Sequence, residues 1–154
     1  MAIIMKTLVI FALLAVVPVS LGAALPSNIP TTVGVAQPGD FEFFRTVARA
    51  EPRPGHVTTI TITPIMSWKY IANAVSFKEQ GTPQGAYVSS VTGLGTNFIR
   101  YSVTSQSGKG LNVIADLWGR DVTADRSSKP EMLEQHFKCT MTVSDGVTEE
   151  TRDC

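Results

Sequence analysis

Between Tyr87 and Arg120 the chain reads YVSSVTGLGTNFIRYSVTSQSGKGLNVIADLWGR. Three short runs of mostly β-forming residues are separated by two glycine-bearing turns, Gly93-Leu94-Gly95 and Ser105 to Gly110. Ile99, Tyr101 and Val103 alternate with Arg100, Ser102 and Thr104, and Leu111, Val113, Ala115 and Leu117 repeat at the same spacing. A period of two puts each apolar set on one face of a strand. The glycines fall where tight turns require positive φ. A helix cannot satisfy this pattern, so the segment commits the chain to β structure.

The same alternation begins upstream. Ile60 and Ile62 are expected inward and Thr59, Thr61 and Thr63 outward, with Pro64 ending the strand. A second strand is expected over Trp68 to Lys78, with Ile71, Val75 and Phe77 on one face. Lys69 and Asn73 share that parity, which predicts an irregular strand or a bulge. Residues Glu79 to Gly85 are turn chemistry throughout, and Ala86 to Thr92 follows as a strand with Tyr87 and Val91 on one face. Strands recurring about every 10 residues, joined by short turns, predict an all-β fold, a single antiparallel β-sandwich or barrel-like domain.

The flanks are less regular. Leu25 to Asp40 is rich in Pro, Gly, Thr and Asn and reads as an extended, poorly ordered leader. Phe41 to Ala50 (FEFFRTVARA) fits either a strand or a short helix, with Phe41, Phe43 and Phe44 as anchors on the core, and Pro52, Pro54 and Gly55 break it. Beyond Arg120, Ser128-Lys129-Pro130-Glu131 resembles a capping box and predicts a short C-terminal helical turn through Met132, Leu133 and Phe137. His136 to Ser144 alternates again and stops at the Asp145-Gly146 turn. Four segments result: a signal peptide over 1–22, a leader over 23–55, the β core over 56–120 and a C-terminal extension over 121–154.

The N-terminus explains the first of these. Lys6 precedes an apolar run from Leu8 to Val17, then Pro18 and the small residues of Ser20 to Ala24. This is the layout of a secretory signal peptide. Cleavage after Gly22, with Ser20 at the −3 position, fits best, and Ala24 is the alternative. The run is shorter than the roughly 20 apolar residues of a membrane span. The expected product is therefore secreted and extracellular, with no membrane span. The chain has 13 basic and 13 acidic residues. It lacks the basic footprint of phosphate-backbone binding, so no direct nucleic-acid binding is expected. Its two cysteines, Cys139 and Cys154, lie near the C-terminus. In an oxidising compartment three arrangements are open: a Cys139–Cys154 disulfide, a buried free cysteine, or an intermolecular bridge through Cys154.

No constellation announces a reaction. The two histidines, His56 and His136, lack metal-ligand spacing, and no nucleophile elbow exists. Gly93-Leu94-Gly95 lacks the third glycine of a dinucleotide fingerprint, since Phe98 stands there, and Gly108-Lys109 is followed by Gly110 rather than the Ser or Thr of a P-loop. Asp116 is an outward strand residue and Glu149-Glu150 reads as part of a polar tail. The reading is a non-enzymatic protein with no catalytic residues, no metal and no cofactor.

The run Thr104-Ser105-Gln106-Ser107-Gly108-Lys109-Gly110-Leu111-Asn112-Val113-Ile114, ending at Leu117-Trp118-Gly119-Arg120, resembles the signature of the insect multiprotein bridging factor 2 family. That signature is a Ser-Gln-basic-Gly-basic-Gly run with alternating aromatics, closing on an aromatic-Gly pair. Gly93-Leu94-Gly95 is similar to the family's glycine turn, and the likeness spans about His56 to Arg120. Ser107 replaces a basic residue, and Leu111 and Val113 replace aromatics. The resemblance implies one of two roles. Secreted members are small salivary, venom, gut or immune-response proteins. The founding role is a transcription co-activator bridging a DNA-bound nuclear receptor and the general transcription machinery. The signal peptide favours the secreted branch and a binding or effector role toward an unidentified protein or small ligand, in an oligomeric state left open. Gln106 and Lys109, at the tip of the family loop, are the candidate partner-contact residues.

Overall fold

The computed structural model describes residues 27–123, 138–146 and 148–154. The expected signal peptide and the expected helical turn at 128–137 lie outside them. Ten strands form two antiparallel sheets packed face to face. They are β1 (Ser27–Asn28), β2 (Thr31–Gly34), β3 (Phe41–Ala50), β4 (Thr59–Ile65), β5 (Tyr70–Glu79), β6 (Tyr87–Thr92), β7 (Arg100–Thr104), β8 (Leu111–Asp121), β9 (Lys138–Ser144) and β10 (Glu149–Asp153). The six-stranded sheet runs β1-β6-β7-β4-β9-β10, and the four-stranded sheet runs β2-β5-β8-β3. The fold is the all-β sandwich that the alternation predicts. Among the described residues no helix is long and apolar enough to cross a membrane.

The core lies between the sheets. Ile60, Ile62, Val88, Tyr101 and Val103 enter from the six-stranded sheet, and Val75, Phe77, Val113 and Leu117 from the four-stranded one, each 2% exposed or less. Burying each such side chain contributes about 1.5–3 kcal/mol. Tyr101 brings a hydroxyl into this space. It shares a 2.8 Å hydrogen bond with the Thr46 hydroxyl on β3, across the two sheets, and its ring meets Phe77 edge-on at 5.6 Å.

Several expectations need correction. Residues 27–34 are extended, as expected, but they form edge strands: β1 pairs with β6 and β2 with β5. Phe41 to Ala50 is a ten-residue strand paired along β8. The leader boundary at residue 55 therefore cuts through the domain. Pro64 is buried inside β4, which runs on to Ile65. The Ser105 to Gly110 loop does not join paired strands, because β7 and β8 belong to different sheets. Glu149-Glu150 opens β10 rather than trailing as a tail.

Two bulges account for the faces misassigned from sequence. On β5 the register shifts between Ala72 and Ala74, so Tyr70 and Ala72 are buried with Val75 and Phe77 while Ile71 turns to the outer face. On β6 it shifts between Val88 and Ser90, burying Val88 and Val91 and leaving Tyr87 half-buried. An extra residue reverses the parity of everything after it.

The β5 bulge also anchors a loop from the other sheet. Asn73 donates to both carboxylate oxygens of Asp40 at 3.0 and 2.9 Å, fixing the β2–β3 turn. Ala72 accepts from Gly95 N at 2.7 Å and donates to Thr96 O at 3.0 Å, so the β6–β7 turn docks beside β5. Gly93 makes that turn possible: its φ is +81°, and a Cβ would collide with the Phe98 carbonyl. Gly119 of β8 is required for close approach, since a Cβ there would strike the Ile71 carbonyl.

Burial pushes the Tyr101 hydroxyl pKa well above the ordinary tyrosine range, against a smaller opposing effect of the Thr46 hydrogen bond. The folded state then holds a proton that the unfolded chain releases, so stability is unaffected below about pH 10 and falls above it by about 1.4 kcal/mol per pH unit. Urea unfolding from pH 9 to 11 should show this slope, and Tyr101→Phe should remove that part of it. At neutral pH the same variant should cost about 1 kcal/mol for the lost intersheet hydrogen bond.

Candidate binding surface

The outer faces of the two sheets differ in chemistry. On the four-stranded sheet the outward positions of β3 and β8 mix charged and aromatic residues with Val47, which is exposed, and Ile114 opposite it. Arg45 donates to Asp116 at 2.6 Å and lies 3.2 Å from Glu42, with Trp118 directly across from Glu42. Those two carboxylates raise the Arg45 pKa, Asp116 first through its hydrogen bond. This is an ordinary solvated face.

The outer face of the six-stranded sheet is instead covered by hydroxyls. Its pattern starts in β4, where burial of Ile60 and Ile62 sends Thr59, Thr61 and Thr63 outward. Residues directly opposite in an antiparallel sheet share a face. Thr61 lies opposite Ser102 on β7 and Thr142 on β9; Ser102 in turn lies opposite Ser90, and Thr142 opposite Thr151. One row across five strands thus carries Ser90, Ser102, Thr61, Thr142 and Thr151. The next row holds Thr104, Thr59 and Ser144, and the one on the other side pairs Thr63 with Thr140.

These hydroxyls are organised. Thr61 and Ser102 share a hydrogen bond of 2.8 Å, Thr59 and Thr104 one of 3.0 Å, and Thr142 and Thr151 one of 3.1 Å. Thr104 also donates to the Ser89 hydroxyl at 3.0 Å, and Ser89 to the Ser102 carbonyl at 3.2 Å. Ser102 and Thr104 are buried within this mesh, whereas Thr59, Thr61, Thr63, Thr140 and Thr142 are half-buried and reach solvent. Charges stand at its margins: Arg100 beside Thr63, Glu149 opposite Ser144 and Asp153 opposite Thr140.

The residues singled out from sequence do not converge on one site. Lys109 N bonds to Gln106 O at 3.0 Å, closing the Ser105 to Gly110 loop as a turn. The Gln106 side chain donates to Gly85 O at 3.0 Å, so it tethers two loops together, while Lys109 is exposed. Ser105 is buried, and its hydroxyl accepts from Thr58 N at 2.9 Å. Cys154 is disulfide-bonded. Cys154 follows β10 directly, and the sequence holds one other cysteine, Cys139, on the neighbouring strand β9. The cysteines and the loop fall at opposite ends of β4, since Cys139 pairs with Pro64 and Thr104 with Thr59. His56 contributes its carbonyl to Gly108 N at 2.8 Å. His136 lies outside the described residues.

Other polar groups hold the fold together. Asp145 is ion-paired with Arg53 and accepts from Thr148 N at 2.7 Å, linking the β3–β4 connection to the β9–β10 hairpin. Glu79 accepts from Gln84 N and Ala86 N and shapes the loop into β6. A cleft of about 430 Å³ opens between the end of β3 and the β9–β10 hairpin; Arg49, Arg53 and Arg152 line it together with Glu51, Asp145 and Glu150, and Arg53 is ion-paired with Asp145. Among the described residues no cluster of His, Cys, Asp or Glu is arranged to hold a metal ion. The sequence shows each outward Thr singly, and the rows arise only where pairing aligns the strands. The usable signal was the repetition of outward hydroxyls in TITIT, YSVT and TMTVS where surface strands usually carry charges. Compared with family models, curated proteins and solved structures, the chain shows no match.

The disulfide of Cys154 closes a short loop and ties down edge strand β10. Reduction should lower stability by about 2–4 kcal/mol. Thermal unfolding with and without a non-thiol reductant measures it, and fluorescence of Trp68 and Trp118 should show that the reduced protein remains folded at low temperature.

Proposed function

We propose that this chain is a small secreted, non-enzymatic binding protein, similar to the secreted branch of the multiprotein bridging factor 2 family, working in saliva, venom, gut or immune defence. The observation that carries the binding role is the hydroxyl-covered face. It is an extended, ordered, neutral surface on a rigid sheet, while the charged groups with resolved partners at Asp40, Glu79 and Asp145 are spent on turns and loops. The compartment is supported separately. Cys154 is disulfide-bonded, a state that persists in oxidising environments, and the chain starts with the layout of a signal peptide. Gln106 is occupied with Gly85, so any contribution of the family loop to a partner falls to Lys109.

Expression of the full chain in secretory insect cells tests this reading. The expected product is found in the medium, begins near Ala23, and migrates as the oxidised form on a non-reducing gel. Uncleaved protein recovered with nuclear transcription proteins would overturn it in favour of the co-activator role.

A further inference from the structure

We propose that the outer face of the six-stranded sheet binds a neutral polysaccharide, with Thr61, Thr142 and Thr151, which reach solvent along one row, as its centre. This assignment rests on the reading of the chain as a binding protein and names the ligand class of that surface.

The chemistry of the face selects the ligand. A hydroxyl has one donor proton and two acceptor lone pairs. The Thr61–Ser102 and Thr142–Thr151 pairs each use one donor and one lone pair internally. The Thr142–Thr151 pair therefore keeps a donor and three lone pairs for an outside partner, Thr61 keeps capacity beside the buried Ser102, and the internal bonds restrict how these hydroxyls turn. A ligand that complements such a surface must itself offer donors and acceptors together, without charge, over an extended area. Sugar polymers have that chemistry.

The geometry agrees with it. Neighbouring strands are about 4.8 Å apart and alternate residues along a strand about 6.7 Å apart. The rows thus repeat hydroxyls in two directions on the scale of one sugar ring. A periodic surface suits a periodic ligand, because a shift by one repeat recovers the same contacts and adjoining repeats add up along the polymer.

Other occupants fit less well. Protein interfaces concentrate aromatic residues, Met and Arg at their centres, and among the described residues Tyr87 and Arg100 on this face lie off the central row, as does the exposed Ile65 at the end of β4. The central row itself carries no apolar side chain, which disfavours a second copy of the chain stacked on it. Nucleic acid or an anionic lipid surface requires clustered cations, whereas Arg100 beside Thr63 and Lys138 opposite Ile65 stand on separate strands.

The test is sedimentation of the mature, oxidised chain with insoluble chitin, cellulose and β-1,3-glucan particles. Depletion from the supernatant is expected with at least one of them and should be nearly independent of salt. A Thr61→Val/Thr142→Val variant keeps shape and β propensity while deleting two hydroxyls, and should bind about tenfold more weakly. Thr151→Val, at the exposed edge strand, provides a second variant with little risk to folding and should weaken binding several-fold. Thermal unfolding confirms that each variant is folded, and Lys78→Ala, exposed on β5 of the other sheet, should bind normally. Failure to sediment with all three particles, unchanged binding by both valine variants, or binding abolished by moderate salt would overturn the assignment. A cleaved, secreted protein that ignores all three particles would remove the ligand class alone, whereas a nuclear, uncleaved protein would remove the reading beneath it.

Discussion

The sheet parity of β4 is the constraint from which the rest of the molecule follows. Ile60 and Ile62 have no exposed surface, so the strand has one register relative to the core. A slip by one residue would expose both isoleucines and bury the intervening threonines. Burying a hydroxyl without a partner costs about 1–3 kcal/mol, and each exposed isoleucine forfeits a similar amount. Because β4 lies between β7 and β9, its parity passes by direct pairing to Ser102 on one side and Thr142 on the other. One short alternating segment thereby determines both what fills the sandwich and what the six-stranded sheet presents to solvent.

Intersheet links keep the two layers in step. The Tyr101–Thr46 hydrogen bond joins β7 to β3 through the core, and the β6–β7 turn bonds to Ala72 where β5 bulges. These are directional contacts added to a non-directional apolar core. Burial alone would tolerate sliding of one sheet over the other; a polar pair fixed at both ends does not, because breaking it strands a hydroxyl in an apolar space. The outer hydroxyl rows are consequently held on a rigid base, and an ordered binding surface needs such a base to avoid the entropy cost of arranging itself on contact.

The fold class was legible because alternation is strong in β4, β7 and β8, where Ile60, Tyr101 and Leu117 all point as their parity predicts. The bulges were not legible in position. Asn73 hinted at irregularity, but the inserted residue is recognised only through Asp40, which is distant in sequence and receives its amide. Ile71 and Tyr87 were placed on the wrong faces for that reason. Residues 27–34 looked unstructured because their proline and glycine content weakens local preference; their pairing comes from neighbours supplied by β5 and β6. The sequence also could not show that the loop from Ser105 to Gly110 crosses between sheets, since its turn chemistry serves a hairpin and an arch equally well. For the candidate surface, each threonine was visible and the rows were not, because rows exist only once Thr61, Ser102 and Thr142 are aligned across strands.

The functional account depends on that alignment more than on any single residue. A face built from hydroxyl rows has a definite ligand chemistry, whereas the same residues out of register would be scattered polar positions with none. Cross-strand nuclear Overhauser contacts in the mature, oxidised protein examine it most directly. The account predicts backbone contacts placing Thr61 opposite both Ser102 and Thr142, and Thr142 opposite Thr151. Contacts displaced by one residue in either pairing, placing Ile60 or Ile62 opposite these hydroxyl residues, would contradict it.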